Sequence, residues 1–276
     1  MQSPAQAIVT TNERVTGPPG VEMLKLANIT QQTDLEILDL ACGGGIISSE
    51  LIATPSLKIK RIVAGDLDDQ MLTFTSDKRD AILKSSPNSN WSRVETQKMS
   101  QTSLPLPDAT FDYVFNNFGV FFHPDEKATL TETLRVLKPN GVEGLTSWKA
   151  IAWWAEVADP ALAQYLPEAP KLPAPGGLFP TKGWNDPEAI PVKLEQAGFR
   201  DVKVSEYKFK PKVEAEPFAQ ATAFLVQSIA KRVWSEEVYG KYGGQIETAL
   251  VQYLKANYEG GIWDGDMTAI ITLGSK

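Results

Sequence analysis

Leu35-Glu36-Ile37-Leu38-Asp39-Leu40-Ala41-Cys42-Gly43-Gly44-Gly45 decides how this chain is read. An apolar run rich in Leu and Ile ends in an acid, and a loop of small residues follows at once. Ile46-Ile47-Ser48-Ser49-Glu50-Leu51-Ile52 then opens as a helix. Strand, glycine loop and helix in that order form the nucleotide-cradling corner of a doubly wound α/β sheet. Gly43 and Gly45 lack a Cβ, so the backbone can turn sharply and a ligand can approach it closely. The free N–H groups of the helix start face that ligand. The loop departs from the dinucleotide pattern G-x-G-x-x-G. It reads D-x-A-x-G-x-G, with Ala41 in the first glycine's place. So short a loop behind Asp39 suits a ligand with an amino-acid tail better than a pyrophosphate.

Downstream, Lys58 to Leu67 reads as a second strand that ends in Asp66, 21 residues after Gly45. A carboxylate at that distance can grip a ribose diol, whose two donors match its two acceptor oxygens. Asp68 is placed to cap the next helix, with Asp69 a partner of the helix dipole. Trp91–Met99 predicts a third, weaker strand, and Tyr113-Val114-Phe115 a short buried fourth. Asp125–Leu137 predicts a helix with Leu130, Leu134 and Leu137 on one stripe, stopped at Lys138-Pro139-Asn140-Gly141. Val142–Trp148 predicts the fifth strand. Near the N-terminus, Val21–Ala27 is expected to be helical, started by Pro18-Pro19-Gly20.

The bulk composition bounds the partners. A chain of 276 residues with 27 basic and 34 acidic side chains, net −7, has no long basic run to engage nucleic acid or an anionic membrane. One cysteine, Cys42, excludes an intrachain disulfide, and one histidine, His123, excludes a His-rich metal site. Met1–Thr16 shows no secretory pattern, and no apolar run approaches the about 18 residues of a membrane span. The expectation is a soluble, cytoplasmic protein with no metal and no nucleic-acid or membrane partner.

Taken together, "ILDLACGGG", "VAGDLDDQML", "LPLPDATFDYVF" and "RVLKPNG" resemble the class I S-adenosylmethionine-dependent methyltransferases, in that family's order and spacing over residues 35–148. The ubiquinone and sterol group is closest in motif style. The later segments "TSWKAIAWW", "GWNDPEAIPVKLEQAGFRDVKV" and "MTAIITLG" resemble more narrowly the fungal secondary-metabolism methyltransferases of the gliotoxin bis-thiomethyltransferase kind. The resemblance implies a Rossmann-like, seven-stranded, mostly parallel sheet with an antiparallel last strand and helical cap insertions. Its segments would be an N-terminal lid (1–34), a cofactor-binding core (35–148), a cap insertion (149–185), a core continuation (186–210), a helical cap insertion (211–266) and the last strand (267–276). Phe199–Val204 and Met267–Leu273 would be the sixth and seventh strands. The lid and insertions would roof the strand ends and form the acceptor pocket.

The resemblance also implies roles. S-Adenosyl-L-methionine would be the cofactor, S-adenosyl-L-homocysteine its product and a small molecule the substrate. Ala41, Gly43 and Gly45 would line the methionine portion, with Asp39 orienting the loop or receiving the ammonium through water. Asp66 would hold the ribose and Leu67 the adenine face. Met99, Ser100 and Gln101 would surround the adenine edge, and many relatives carry an acid where Ser100 stands. Asn116 would lie near the reactive end, and Arg14 and Thr16 would meet the cofactor carboxylate. Phe118, Phe121, Phe122, Trp148, Trp153 and Trp154 are candidates for a flat apolar acceptor site, with a core role as the alternative. His123 is a candidate base, or a turn residue beside Pro124. No Lys–Asp–Lys–Glu tetrad or Asn-Pro-Pro-aromatic signature points to nucleic-acid methylation. A thiol, ionising near pH about 8.5, needs little base assistance, so sulfur is the first choice of acceptor atom and O, N and C stay open. A methyltransferase-fold cyclase or a non-catalytic partner is the alternative.

Overall fold

The computed structural model describes residues 9, 11, 13–29, 34–173 and 182–276. They belong to two compact units. One comprises Thr16–Lys149, Pro180–Tyr207 and Ala269–Lys276. The other comprises Met1–Val15, Ala150–Phe179 and Lys208–Thr268. Parts of the expected lid (residues 1–8, 10, 12 and 30–33) and of the first insertion (174–181) lie outside the described residues.

The first unit is built on a seven-stranded sheet in the order β3-β2-β1-β4-β5-β9-β6. Its strands are β1 (Leu35–Leu40), β2 (Ile59–Asp66), β3 (Val94–Lys98), β4 (Phe111–Asn117), β5 (Leu137–Ile151), β6 (Arg200–Phe209) and β9 (Met267–Ser275). Pairing is parallel from β3 through β5 and antiparallel toward the other end. This is the expected mixed, Rossmann-like sheet. The chain leaves β1 for an edgeward β2 and returns to β4 on its other side. The carboxyl ends of β1 and β4 therefore flank the reversal of strand order, where ligands of such sheets collect.

Helices α1 (Gly17–Leu26), α2 (Ile46–Ala53), α3 (Asp69–Ser85), α4 (Glu126–Val136) and α6 (Ala189–Ala197) flank the sheet. The α1 helix starts at Gly17, four residues before the run that suggested it, with a proline in its first turn. Its Met23 is fully buried in a cluster with Ile37, Ile47, Ile62 and Phe115. Burying such a side chain contributes roughly 2 kcal/mol, so this part of the N-terminal segment belongs to the core. The third strand is shorter than expected, because Asn90–Arg93 forms a 3₁₀ turn whose Ser89 hydroxyl accepts from the Trp91 N–H. The fifth is longer, since it already starts at Leu137, paired with Phe111; the register to β4 then shifts across Asn140, at φ 64°, before Val142 pairs with Tyr113. Gly198, at φ 105°, ends α6 as a left-handed cap.

The second unit is mainly helical. A π-helical turn (Trp154–Ala158) runs into α5 (Asp159–Tyr165). After β7 (Val213–Glu214) come α7 (Ala215–Val233), α8 (Glu236–Tyr242) and α9 (Ile246–Asn257), and β8 (Ile262–Trp263) then pairs with β7. Its core is aromatic. Trp263 is fully buried and stacks on Phe218 at 5.0 Å, and Trp153 meets Phe218 edge-on at 6.4 Å. Glu156 accepts from the Trp263 indole at 2.9 Å. Among the described residues no helix is long and apolar enough to cross a membrane.

Candidate active site

The loop after β1 turns through three left-handed residues, Ala41 (φ 56°), Gly43 (φ 53°) and Gly45 (φ 75°). The two glycines serve different ends. A Cβ on Gly45 would lie 2.9 Å from Thr75 Oγ1, so this glycine lets α3 close against the loop. A Cβ on Gly43 would meet nothing within 4 Å. Its open face is the cradle a ligand backbone would occupy. The Thr75 hydroxyl, buried in α3, donates to the Gly43 carbonyl at 3.1 Å and holds that face outward.

Two carboxylates brace the loop from opposite sides. Asp39 is 1% exposed and accepts from the Ser48 N–H at 2.9 Å and the Ser48 hydroxyl at 2.6 Å. It ties β1 to the first turn of α2. Burial pushes the Asp39 carboxyl up to about 7, against the pull of the Ser48 bonds and with a further rise from Asp66. Asp66, at the end of β2, accepts from the Gly43 N–H at 2.8 Å through Oδ2 and from the Asp68 N–H at 3.0 Å through Oδ1. A carboxylate has about four lone-pair sites, so each oxygen keeps capacity for one hydroxyl of a diol. Leu67 beside it is 61% exposed, an apolar face next to that diol position. Asp68 caps α3 through the Gln70 N–H at 2.7 Å, as its sequence position suggests, and Asp69, in the first turn where the helix dipole favours an acid, pairs with Lys98.

The segment after β3 is fastened to β2 by the Met99 N–H, which donates to the Asp66 carbonyl at 2.9 Å. Met99 is buried over Gly65, where a Cβ would collide with its sulfur. Ser100 Oγ lies 2.9 Å from Thr102 Oγ1. Gln101 and Asn116 are bonded to each other: the Asn116 amide donates to Gln101 Oε1 at 3.1 Å, and Asn116 is fully buried. Of the N-terminal pair, the Thr16 carbonyl accepts from Asn117 Nδ2 at 3.2 Å, at the end of β4. The Arg14 guanidinium donates to the Lys212 carbonyl at 3.1 Å, within the helical unit.

The aromatic candidates divide between the units. Phe118 stacks on Trp148 at 4.1 Å and meets Phe121 edge-on at 6.5 Å, and Phe122 is 59% exposed. Trp153 and Trp154 are buried in the aromatic core of the other unit. His123 Nδ1 accepts from the Asp125 N–H at 3.1 Å, and Asp125 caps α4 through the Ala128 N–H. The imidazole therefore serves the helix entrance. Ser48 and Thr75 escaped sequence reasoning. Ser48 lies nine residues beyond Asp39 on the next helix, and nothing near Thr75 in sequence marks it.

An open glycine cradle, a diol-sized acceptor at Asp66 and an exposed apolar face at Leu67 fit a nucleoside carrying an amino-acid tail. The known proteins agree. Residues 38–143 match the methyltransferase domain family. The chain is 29% identical to methyltransferase tpcH of Aspergillus fumigatus over 90% of this chain and 86% of that one. It is 28% identical to the acetylaranotin bis-thiomethyltransferase of Aspergillus terreus, over 89% and 84%. Phosphoethanolamine N-methyltransferase 2 of Haemonchus contortus, solved with S-adenosylhomocysteine, shares the fold at TM-score 0.52 and 16% identity, covering 94% of this chain and 53% of that one. Motifs, sheet order and relatives converge: residues 38–143 carry a methyltransferase domain, and most of the chain is similar to S-adenosylmethionine-dependent methyltransferases.

Proposed function

We propose that the chain methylates a small, largely apolar natural product in the cytoplasm of a fungus, with sulfur as the acceptor atom. The observation that carries the choice of sulfur is the similarity, across nearly the whole chain, to a protein named for thiol methylation. In this reading Ala41, Gly43 and Gly45 take the amino-acid tail, Asp66 the ribose, and Leu67, Met99 and Ser100 the adenine. Phe118, Phe121, Phe122 and Trp148 contribute apolar acceptor surface. S-Adenosylmethionine brings a methyl group on a sulfonium that is already a good leaving group. The protein's work is to align the acceptor and exclude water. His123 is engaged in a helix entrance, and a thiol acceptor makes no demand for another base.

Two measurements test this. Calorimetry should give tight binding of S-adenosylmethionine and S-adenosylhomocysteine and none of NAD. Asp66→Ala should weaken both adenosyl ligands about 100-fold, through two hydrogen bonds to a charged acceptor at roughly 1.5 kcal/mol each. A panel of apolar thiols, phenols and amines, read by mass spectrometry, should then gain methyl on sulfur first. Methylation of phenols with thiols untouched would sink the sulfur assignment. Undiminished binding by Asp66→Ala would sink the ribose assignment.

A further inference from the structure

Gln101 and Asn116, expected near the cofactor, are bonded to one another and to one backbone position, and each amide keeps a second N–H. Asn116 Oδ1 accepts from the Gly119 N–H at 2.9 Å, Gln101 Nε2 donates to the Gly119 carbonyl at 3.2 Å, and Asn116 Nδ2 donates to Gln101 Oε1 at 3.1 Å. The three residues close a ring. Since Gly119 N–H can only donate and its carbonyl only accept, both amides have a single consistent orientation.

The ring holds a strained strap. Phe118 stands at φ 61°, left-handed and without glycine's freedom, a strained conformation that persists where its surroundings impose it. On its other side the Phe118 N–H donates to Thr146 Oγ1 at 2.9 Å, and that hydroxyl donates to Asn117 Oδ1 at 2.7 Å. Gly119 is drawn onto the glycine loop. A Cβ there would collide with the Ala41 side chain and with Asn116 Oδ1.

We propose that Gln101 and Asn116 are positioning residues: their ring with Gly119 clamps the strap after β4 onto Ala41 and so fixes the loop that receives the amino-acid tail of the cofactor. The clamp joins the segment after β3, the end of β4 and the loop after β1, adding side-chain ties to the pairing that β1 already makes with β4. It rests on the cofactor assignment above for its ligand, though not for its geometry.

Gln101→Leu and Gln101→Glu test it, with two readouts. Both remove the donor to the Gly119 carbonyl, and the glutamate keeps size and polarity. Hydrogen exchange of the Gly119 amide should quicken about tenfold, the worth of one hydrogen bond. Exchange at Leu38 and Val63, in the middle of the sheet, should be unchanged. S-Adenosylhomocysteine binding should weaken about tenfold in both variants. Weaker binding with unaltered Gly119 exchange would make Gln101 a direct ligand contact and overturn the proposal. Faster exchange with unaltered binding would overturn it too, since the clamp would then position nothing the ligand uses. A wild-type chain that binds no S-adenosylhomocysteine overturns the cofactor assignment, and with it the clamp's role. Gly119 exchange would still tell whether the ring exists.

Discussion

Asp39, at the end of β1, and Glu143, in the middle of β5, are both buried acids whose carboxyls are pushed up by desolvation. Their surroundings differ. Asp39 accepts two bonds from Ser48, and these hold it at about 7. Glu143 is pushed well above the ordinary carboxyl range, and both its oxygens lack a hydrogen-bond partner among the described residues. Thr133 is the side chain that eases its shift, but the Thr133 hydroxyl is given to the Leu130 carbonyl at 3.1 Å. Burial of an acid therefore marks no site in itself. What Asp39 adds is a mechanical link, from the end of a strand to the first turn of a helix, across the glycine loop.

The largest effect that would break this contrast is on Asp39→Ala. Ser48 would lose the acceptor for its N–H and for its hydroxyl, at a cost of about 2–3 kcal/mol for buried donors. The loop would lose its tie to α2. S-Adenosylhomocysteine binding should fall by about 100-fold, which is roughly 2.7 kcal/mol. Urea denaturation and calorimetry on the same samples read both numbers. An Asp39→Ala protein that binds normally would reduce Asp39 to the status of Glu143.

Glu143→Met should do the opposite. In the folded chain the raised pKa holds the proton on the carboxyl to higher pH. In the unfolded chain it ionises above its ordinary 4.5. Wild type must then take up a proton to fold, so this residue's contribution to stability falls as pH rises above that value. Methionine needs no proton and has nearly the same volume. The variant should gain about 1–2 kcal/mol at pH 8 and distinctly less at pH 5, with adenosyl binding unchanged at both. A gain that does not depend on pH would mean Glu143 is ionised in the fold.

Legibility in sequence follows the same divide. The loop after β1, Asp66 and the Asp68 cap could be read because each is settled within a few residues. Glycine marks a positive φ, a strand-end acid marks the ligand edge, and an Asp two residues before Gln70 marks a helix start. The strap after β4 has no such mark. Phe118 is left-handed where the sequence shows an aromatic, and its restraints come from Thr146 on β5 and Gln101 after β3, set by strand register. The six aromatics read as one acceptor surface for the same reason. Composition cannot tell the Phe118–Trp148 pair from the Trp153–Phe218–Trp263 core of another unit. His123 reads both ways in sequence, and the Pro124-Asp125 helix start that follows it supplies the N–H that its Nδ1 accepts.

Ser48→Ala is the smallest change that sharpens the comparison, since it removes one of the two bonds that separate Asp39 from Glu143. The backbone bond from residue 48 remains, so the loop stays tied and the loss should be about 1 kcal/mol. The pH dependence carries the information. The Ser48 hydroxyl bond stabilises the ionised carboxylate and lowers the Asp39 pKa, so its removal should move that pKa above the wild-type value of about 7. Below the ordinary 3.8 the carboxyl is protonated in both folded and unfolded chains, and the variant lacks only a bond between neutral groups. Above 7 wild type holds a carboxylate with a charge-assisted bond, while the variant must either bury the charge with less support or keep its proton. The stability difference should therefore widen as pH rises from 6 to about 9, in urea midpoints measured on both proteins. A difference that stays flat across that range would mean the hydroxyl bond does nothing for the charge, and Asp39 would then be buried on the same terms as Glu143.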